Sequence, residues 1–226
     1  MAFRFYEFSN SQECNLSLVS WLGEFLTEKA LLNGGASLAV SGGKSPVALF
    51  ELLSREKIAW DKICISLVDE RIVSLESEDS NTALVKSHLL QNSAKGASFI
   101  PILKDPSLSL ELLLEFANKH YRQADLAILG MGLDGHTASL FPEASEFEHA
   151  LESEQNIIST TPKNAPYQRL SMSLKALKKT KKLILTLKGE DKKKVFEEAS
   201  LGVNPKLPIS YILHSREVDC DVYYSK

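Results

Sequence analysis

At 226 residues the chain is long enough to bury one substantial core and too short for two ordinary domains. Hydrophobic residues at 44% and charged residues at 24% give the balance of a soluble globular protein. A net charge of −3, from 26 basic and 29 acidic residues, excludes a general nucleic-acid binder but leaves room for a local basic site that takes a small anion.

No apolar run approaches the roughly 20 residues that span a bilayer. The N-terminus, Met1-Ala2-Phe3-Arg4-Phe5-Tyr6-Glu7, alternates instead of forming an apolar block, so it does not read as a signal peptide. Cys14, Cys64 and Cys220 are widely spaced and form no CxxC pair, which predicts buried, reduced thiols, no zinc site and a cytoplasmic location.

Phe3 to Phe8 reads as a first strand from its aromatic content and alternation. Ser9 or Asn10 then caps a helix in which Leu18, Trp21, Leu22, Phe25 and Leu26 recur at helical spacing, and Asn33-Gly34-Gly35 ends it. Ala36 to Val40 is a short buried strand, followed by the turn Ser41-Gly42-Gly43-Lys44-Ser45-Pro46 and a helix over Val47 to Leu53. Ile63 to Val68 is the next strand, ending at Asp69-Glu70-Arg71. Asn81 to Leu90 is a helix capped near Ser80, and Ser107 to Tyr121 is a Leu-rich helix. The strand Leu126 to Leu129 precedes the run Gly130-Met131-Gly132-Leu133-Asp134-Gly135-His136-Thr137-Ala138-Ser139-Leu140-Phe141-Pro142. Arg169 stands before Leu170-Ser171-Met172-Ser173, read as the start of a strand. Lys182 to Leu187 is a strand, Glu190 to Ala199 a helix and Val218 to Tyr223 a last strand. Lys175, Lys178, Lys179, Lys181 and Lys182 read as a solvated face. The alternation predicts a single α/β domain over residues 1–226, with a mainly parallel, Rossmann-like sheet and helices on both faces.

The polar or Gly-rich clusters at 41–46, 69–71 and 130–136 each follow a predicted strand. Carboxyl ends of strands line the ligand crevice in such sheets, so the three clusters are expected to converge. Gly42 and Gly43, with Lys44 and Ser45, open a strand-to-helix turn whose backbone N–H groups suit an anion, although the spacing is not that of a Walker loop. Arg71 is a bidentate donor for carboxylate, phosphate or a polarised carbonyl, and Asp69 either orients it or binds hydroxyls. Glu70 shares that cluster, and Asn81 is placed near the same crevice. Of the five histidines only His136 sits in a Gly-rich loop with an acid, Asp134, two residues away, and it reads as a general base. Gly132 lets that loop approach a ligand closely. The residues show no metal-ligand spacing, and neither a metal nor another cofactor is expected.

At these residues the chain resembles the 6-phosphogluconolactonase family. The similarity lies in Ser41 to Pro46, Asp69-Glu70-Arg71-Ile72-Val73, Asp79-Ser80-Asn81, Gly130 to Pro142, Gly189-Glu190-Asp191-Lys192 and Leu207-Pro208-Ile209-Ser210, in order along nearly the whole chain. The resemblance implies a fold shared with glucosamine-6-phosphate deaminases and ribose-5-phosphate isomerases, and hydrolysis of 6-phospho-D-glucono-1,5-lactone in the pentose phosphate pathway. It makes His136 and Asp134 the catalytic pair. Gly42, Gly43, Lys44, Ser45, Asp69, Glu70, Arg71, Asn81, Gly132, Arg169 and Lys192 become substrate-binding, Arg169 and Lys192 by charge. The related deaminases carry an acid where this chain has Phe141, and a tyrosine where it has Arg71. A deaminase-like isomerase is the competing reading, and a non-catalytic sugar-phosphate sensor another. The expected partner is a small phosphorylated lactone, with no nucleic acid or membrane. The oligomeric state is left open, a monomer being compatible with the sequence.

Overall fold

The computed structural model describes residues 3–226; Met1 and Ala2, which begin the alternating N-terminal stretch and the 1–226 domain, lie outside the described residues. Strand β1 (Phe3–Phe8) leads to α1 (Ser11–Asn33), whose first turn is closed by the Asn10 side chain accepting from the Glu13 N–H at 2.9 Å. Gly34, at φ 76°, ends that helix in the left-handed conformation that glycine adopts without strain. Strand β2 (Ala36–Val40), α2 (Val47–Leu53) and β3 (Ile63–Leu67) follow. After β4 (Asp69–Arg71) come α3 (Asn81–His88), β5 (Ser98–Ile100), α4 (Leu110–His120) and β6 (Leu126–Leu129). The remaining elements are α5 (Phe147–Glu152), β7 (Ile157–Thr160), β8 (Arg169–Met172), α6 (Leu174–Lys178), β9 (Lys182–Lys188), α7 (Glu190–Ala199), α8 (Ser210–Leu213) and β10 (Asp219–Ser225).

Seven strands form one wholly parallel sheet in the order β1-β10-β9-β6-β2-β3-β5. Successive residues Leu126 to Leu129 of β6 and Leu183 to Leu185 of β9 are buried, so both faces of the sheet are covered. Helix α1 packs against α2 and the sheet through Leu18, Leu22 and Leu26, each fully buried. From β2 the chain runs outward to β3 and β5, then returns to place β6 on the other side of β2. That reversal opens a crevice at the carboxyl ends of β2 and β6, where Ser41 N–H donates to Ile128 O at 3.0 Å.

A second, antiparallel sheet, β4-β8-β7, was not foreseen. Asp69-Glu70-Arg71 is no mere end of the preceding strand: the chain kinks after Leu67 and pairs residues 69–71 with 171–169. The Leu-rich helix begins at Leu110, three residues later than expected, because the Asp105 side chain accepts from Ser107 N–H and closes a turn there. Lys182 corrects the solvated reading of the lysine cluster. It is 8% exposed, and its ammonium lies 2.8 Å from the buried carboxylate of Asp221. Cys14 and Cys220 are buried as expected, but Cys64 is only partly so.

Candidate active site

The loop after β6 is built by its glycines. Gly132 N–H donates to His136 O and Gly135 N–H to Gly132 O, folding the chain back on itself. Gly135 takes φ 71°, and a Cβ there would meet the Leu207 backbone at 2.8 Å. A Cβ on Gly132 would stand 2.3 Å from both Nδ1 and Cε1 of His136. Glycine at 132 lets the imidazole lie down onto the loop, and glycine at 135 lets the loop pack against Leu207.

His136 Nδ1 lies 2.5 Å from Asp134 Oδ1, and Phe141 covers the ring with centroids 4.5 Å apart. Burial pushes the Asp134 carboxyl up, but the hydrogen bond and charge of His136 outweigh it and hold it below the usual carboxylate range. With Nδ1 engaged by the carboxylate, the ring is fixed in one orientation and Nε2 is the nitrogen available to a ligand.

His136 lines a cavity of about 350 Å³ at the crevice, together with Gly42, Ser45, Asp69, Arg71, Asn81, Gly132, Arg169 and Lys192. The three sequence clusters therefore converge. Asp134 stands behind His136, and Gly43, Lys44 and Glu70 are not in the wall. For Glu70 the reason is strand geometry: along β4 successive side chains point to opposite faces, so Asp69 and Arg71 face the cavity and Glu70 is fully buried behind it. Its expected substrate contact is corrected on that ground. Gly43 retains a conformational role, at φ 88° in the turn.

Arg71 and Arg169 are paired directly across β4 and β8, and both reach the cavity. Like charges directly opposite each other are unfavourable unless an anion joins them. Burial, and then the Arg71 charge, hold the Arg169 guanidinium below its ordinary range, although an arginine stays charged. Arg169 Nη2 donates to Pro166 O at 3.0 Å, and among the described residues its buried Nε has no partner. Lys192, in the first turn of α7, completes the basic wall, and burial lowers its ammonium pKa. Gly189 (φ 84°) precedes that helix and is tied to the end of the sheet by its N–H to Ser225 O.

The cavity also carries polar and acidic groups. Asp69 Oδ2 accepts from Ser139 Oγ at 2.6 Å, while Asn81 Nδ2 donates to Asp69 O at 2.8 Å. Asn81 Oδ1 and Ser41 Oγ are buried without a partner among the described residues. Gly42 passes so close to Asn81 that a Cβ would come 1.8 Å from Oδ1. Ser139, which steadies Asp69, and Thr186, which lines the cavity, were not singled out from sequence. The lone hydroxyl of Thr186 in the apolar β9 was the available signal. Among the described residues, no group of three or more His, Cys, Asp or Glu side chains is placed to hold a metal ion.

A half-exposed Asp–His pair at a small cavity that two arginines and a lysine also line defines a site for proton-transfer chemistry on a small anionic molecule. The sequence model of the glucosamine-6-phosphate isomerase/6-phosphogluconolactonase family matches residues 9–220, and the chain belongs to that family. It is 46% identical to the 6-phosphogluconolactonase of Helicobacter pylori strain J99, with 100% of both chains covered. It is 41% identical to that of Neisseria meningitidis serogroup A, covering 99% of this chain and 100% of the relative. The crystal structure of a 6-phosphogluconolactonase from Shewanella baltica superposes with a TM-score of 0.92 at 34% identity, covering 99% of this chain and 98% of that one. A monomeric glucosamine-6-phosphate deaminase shares the fold alone, with a TM-score of 0.81 at 17% identity over 99% of this chain and 97% of that one.

Proposed function

We infer that the chain hydrolyses 6-phospho-D-glucono-1,5-lactone to 6-phospho-D-gluconate. The full-length similarity to 6-phosphogluconolactonases supports this activity over that of a deaminase or a sensor. The structural observation that carries the chemistry is the His136–Asp134 pair, with Nδ1 bound to carboxylate and Phe141 against the ring.

In the mechanism we propose, Nε2 of His136 takes a proton from water as the water oxygen attacks C1 of the lactone. Asp134 holds the ring in orientation and stabilises the imidazolium that forms. The carbonyl electrons move to oxygen, giving a tetrahedral oxyanion that needs a fixed donor. Arg71 fills that role, or anchors the substrate while backbone N–H groups of a Gly-rich turn serve the oxyanion. Collapse of the intermediate restores the carbonyl and breaks the bond to the ring oxygen, which His136 reprotonates. The phosphate sits on the Gly42-Gly43 turn, with Arg169 and Lys192 supplying charge. Lys44 and Ser45 belong to that turn, Asp69 and Asn81 offer acceptors to sugar hydroxyls, and Gly132 gives the loop its close approach.

The chain acts as one domain, a reading supported by the family match over residues 9–220. No helix among the described residues is long and apolar enough to cross a membrane, and we place the reaction in the cytoplasm. The deciding experiment pairs two assays: acid release from freshly made 6-phosphogluconolactone, corrected for spontaneous hydrolysis, and ammonia release from glucosamine 6-phosphate. Acid without ammonia is expected. Ammonia release, or no acid above the spontaneous rate, overturns the reading.

A further inference from the structure

Glu70 is fully buried, yet its carboxylate is the most heavily hydrogen-bonded side chain beside the cavity. Oε1 accepts from the Arg71 N–H at 2.7 Å and the Asn81 N–H at 2.8 Å. Oε2 accepts from the Thr82 N–H at 2.7 Å and from Ser80 Oγ at 3.2 Å. Three of the four donors are backbone amides from two separate elements: one from β4 and two from the first turn of α3. The helix end would otherwise bury those amides unsatisfied, and its dipole favours a negative charge there.

The two elements clamped by this carboxylate carry three wall residues. Asp69 and Arg71 flank Glu70 on β4 and face the cavity, and Asn81 is the first residue of α3. The Asn81 side chain then donates back to Asp69 O, closing a ring of contacts that runs from Glu70 through α3 to β4. Pairing with β8 sets the Arg71 backbone within its sheet, while its guanidinium donates to Asp79 O on an exposed loop, so the placing of that sheet against α3 falls to the Glu70 carboxylate. A shift of β4 against α3 would move Arg71 and Asn81 together.

We propose that Glu70 is a positioning residue that sets the place of Arg71 and Asn81 in the cavity by fixing β4 to the first turn of α3. It does not touch the substrate. The role rests on the lactonase reading above. Glutamine in its place keeps the size but turns an NH2 group toward one pair of donors, so that at least one backbone N–H faces another N–H. The strand and helix must then part.

The test is a double-mutant cycle on kcat/KM for the lactone, using wild type, Glu70→Gln, Arg71→Ala and the double variant, each checked as folded at the assay temperature. Glu70→Gln should lower kcat/KM at least tenfold, and the loss should shrink at least threefold in the Arg71→Ala background. Asp221→Asn, which weakens a buried ion pair elsewhere, should lower thermal stability and leave kcat/KM within twofold. Equal losses in both Arg71 backgrounds, or a Glu70→Gln variant within twofold of wild type, would overturn the proposal. If Glu70→Gln does not fold, Glu70→Asp, which keeps the charge with shorter reach, takes its place in the cycle under the same criteria. A wild type without lactonase activity overturns the functional reading instead, so the two failures are distinct.

Discussion

The side chains of Asp134 and His136 meet at 2.5 Å across the single residue Gly135, and the contact uses the ring nitrogen nearer the backbone. The other ring nitrogen is thereby committed to the cavity, with a fixed direction and a fixed tautomer in the neutral state. His136→Ala should lower kcat by about 10² to 10⁴, the range for losing a general base, with KM little changed. Asp134→Asn, which keeps the loop but holds the ring less well, should fall between His136→Ala and wild type. Steady-state kinetics on folded protein check both, and near-wild-type turnover in His136→Ala would remove it as the base.

Gly132 should be nearly as sensitive as the histidine it lies beneath. A Cβ there would sit 2.3 Å from the imidazole and 2.5 Å from Asp134 Oδ1, so Gly132→Ala must displace the pair or the loop. The expected outcome is a folded protein with kcat reduced at least tenfold, an order-of-magnitude figure for displacing a catalytic group by about an ångström. Circular dichroism and kinetics on the same sample separate loss of fold from loss of alignment.

Much of this site could be read from the chain because strand, glycine turn and polar cluster are local patterns. The loops at Ser41 and Gly130 follow strands whose burial is written in consecutive apolar residues, and the sheet order brings them side by side. The three-stranded sheet was hidden for the opposite reason. Asp69–Arg71 is only three residues long and charged, and its pairing with Arg169–Met172 is set by contacts about a hundred positions apart. Without that pairing, sequence could not tell which of Asp69, Glu70 and Arg71 faces the cavity. Strand alternation decides it, and sends Glu70 into the core.

Lys192 gives a pH signature. Burial lowers its pKa from the ordinary lysine value, so its charge is lost at a lower pH than that of a free lysine. The folded state then binds fewer protons than the unfolded state between the two values, and stability from this group rises with pH there. Phosphate binding has the opposite sign, because it needs the cation. Affinity for 6-phosphogluconate, measured calorimetrically, should weaken as pH climbs into the range below ordinary lysine titration. Lys192→Arg, which stays charged, should abolish that limb. An unchanged pH profile in Lys192→Arg would remove Lys192 from the phosphate site.

Near the amino ends of β9 and β10, away from the catalytic loops, Asp221 is 3% exposed at its side chain and sits 2.8 Å from Lys182. Arg4 reaches the same carboxylate with two hydrogen bonds, at 3.0 and 3.1 Å. Removing the acid leaves the Lys182 ammonium buried without its counter-charge, which costs on the order of 3–5 kcal/mol for such a pair. Replacing the lysine is milder, because Arg4 still neutralises Asp221. Urea unfolding should therefore show a larger loss for Asp221→Ala than for Lys182→Met, with kcat/KM of the folded protein unchanged in both. If Lys182→Met is the more destabilising of the two, Arg4 does not compensate the charge, and the three groups are not one network.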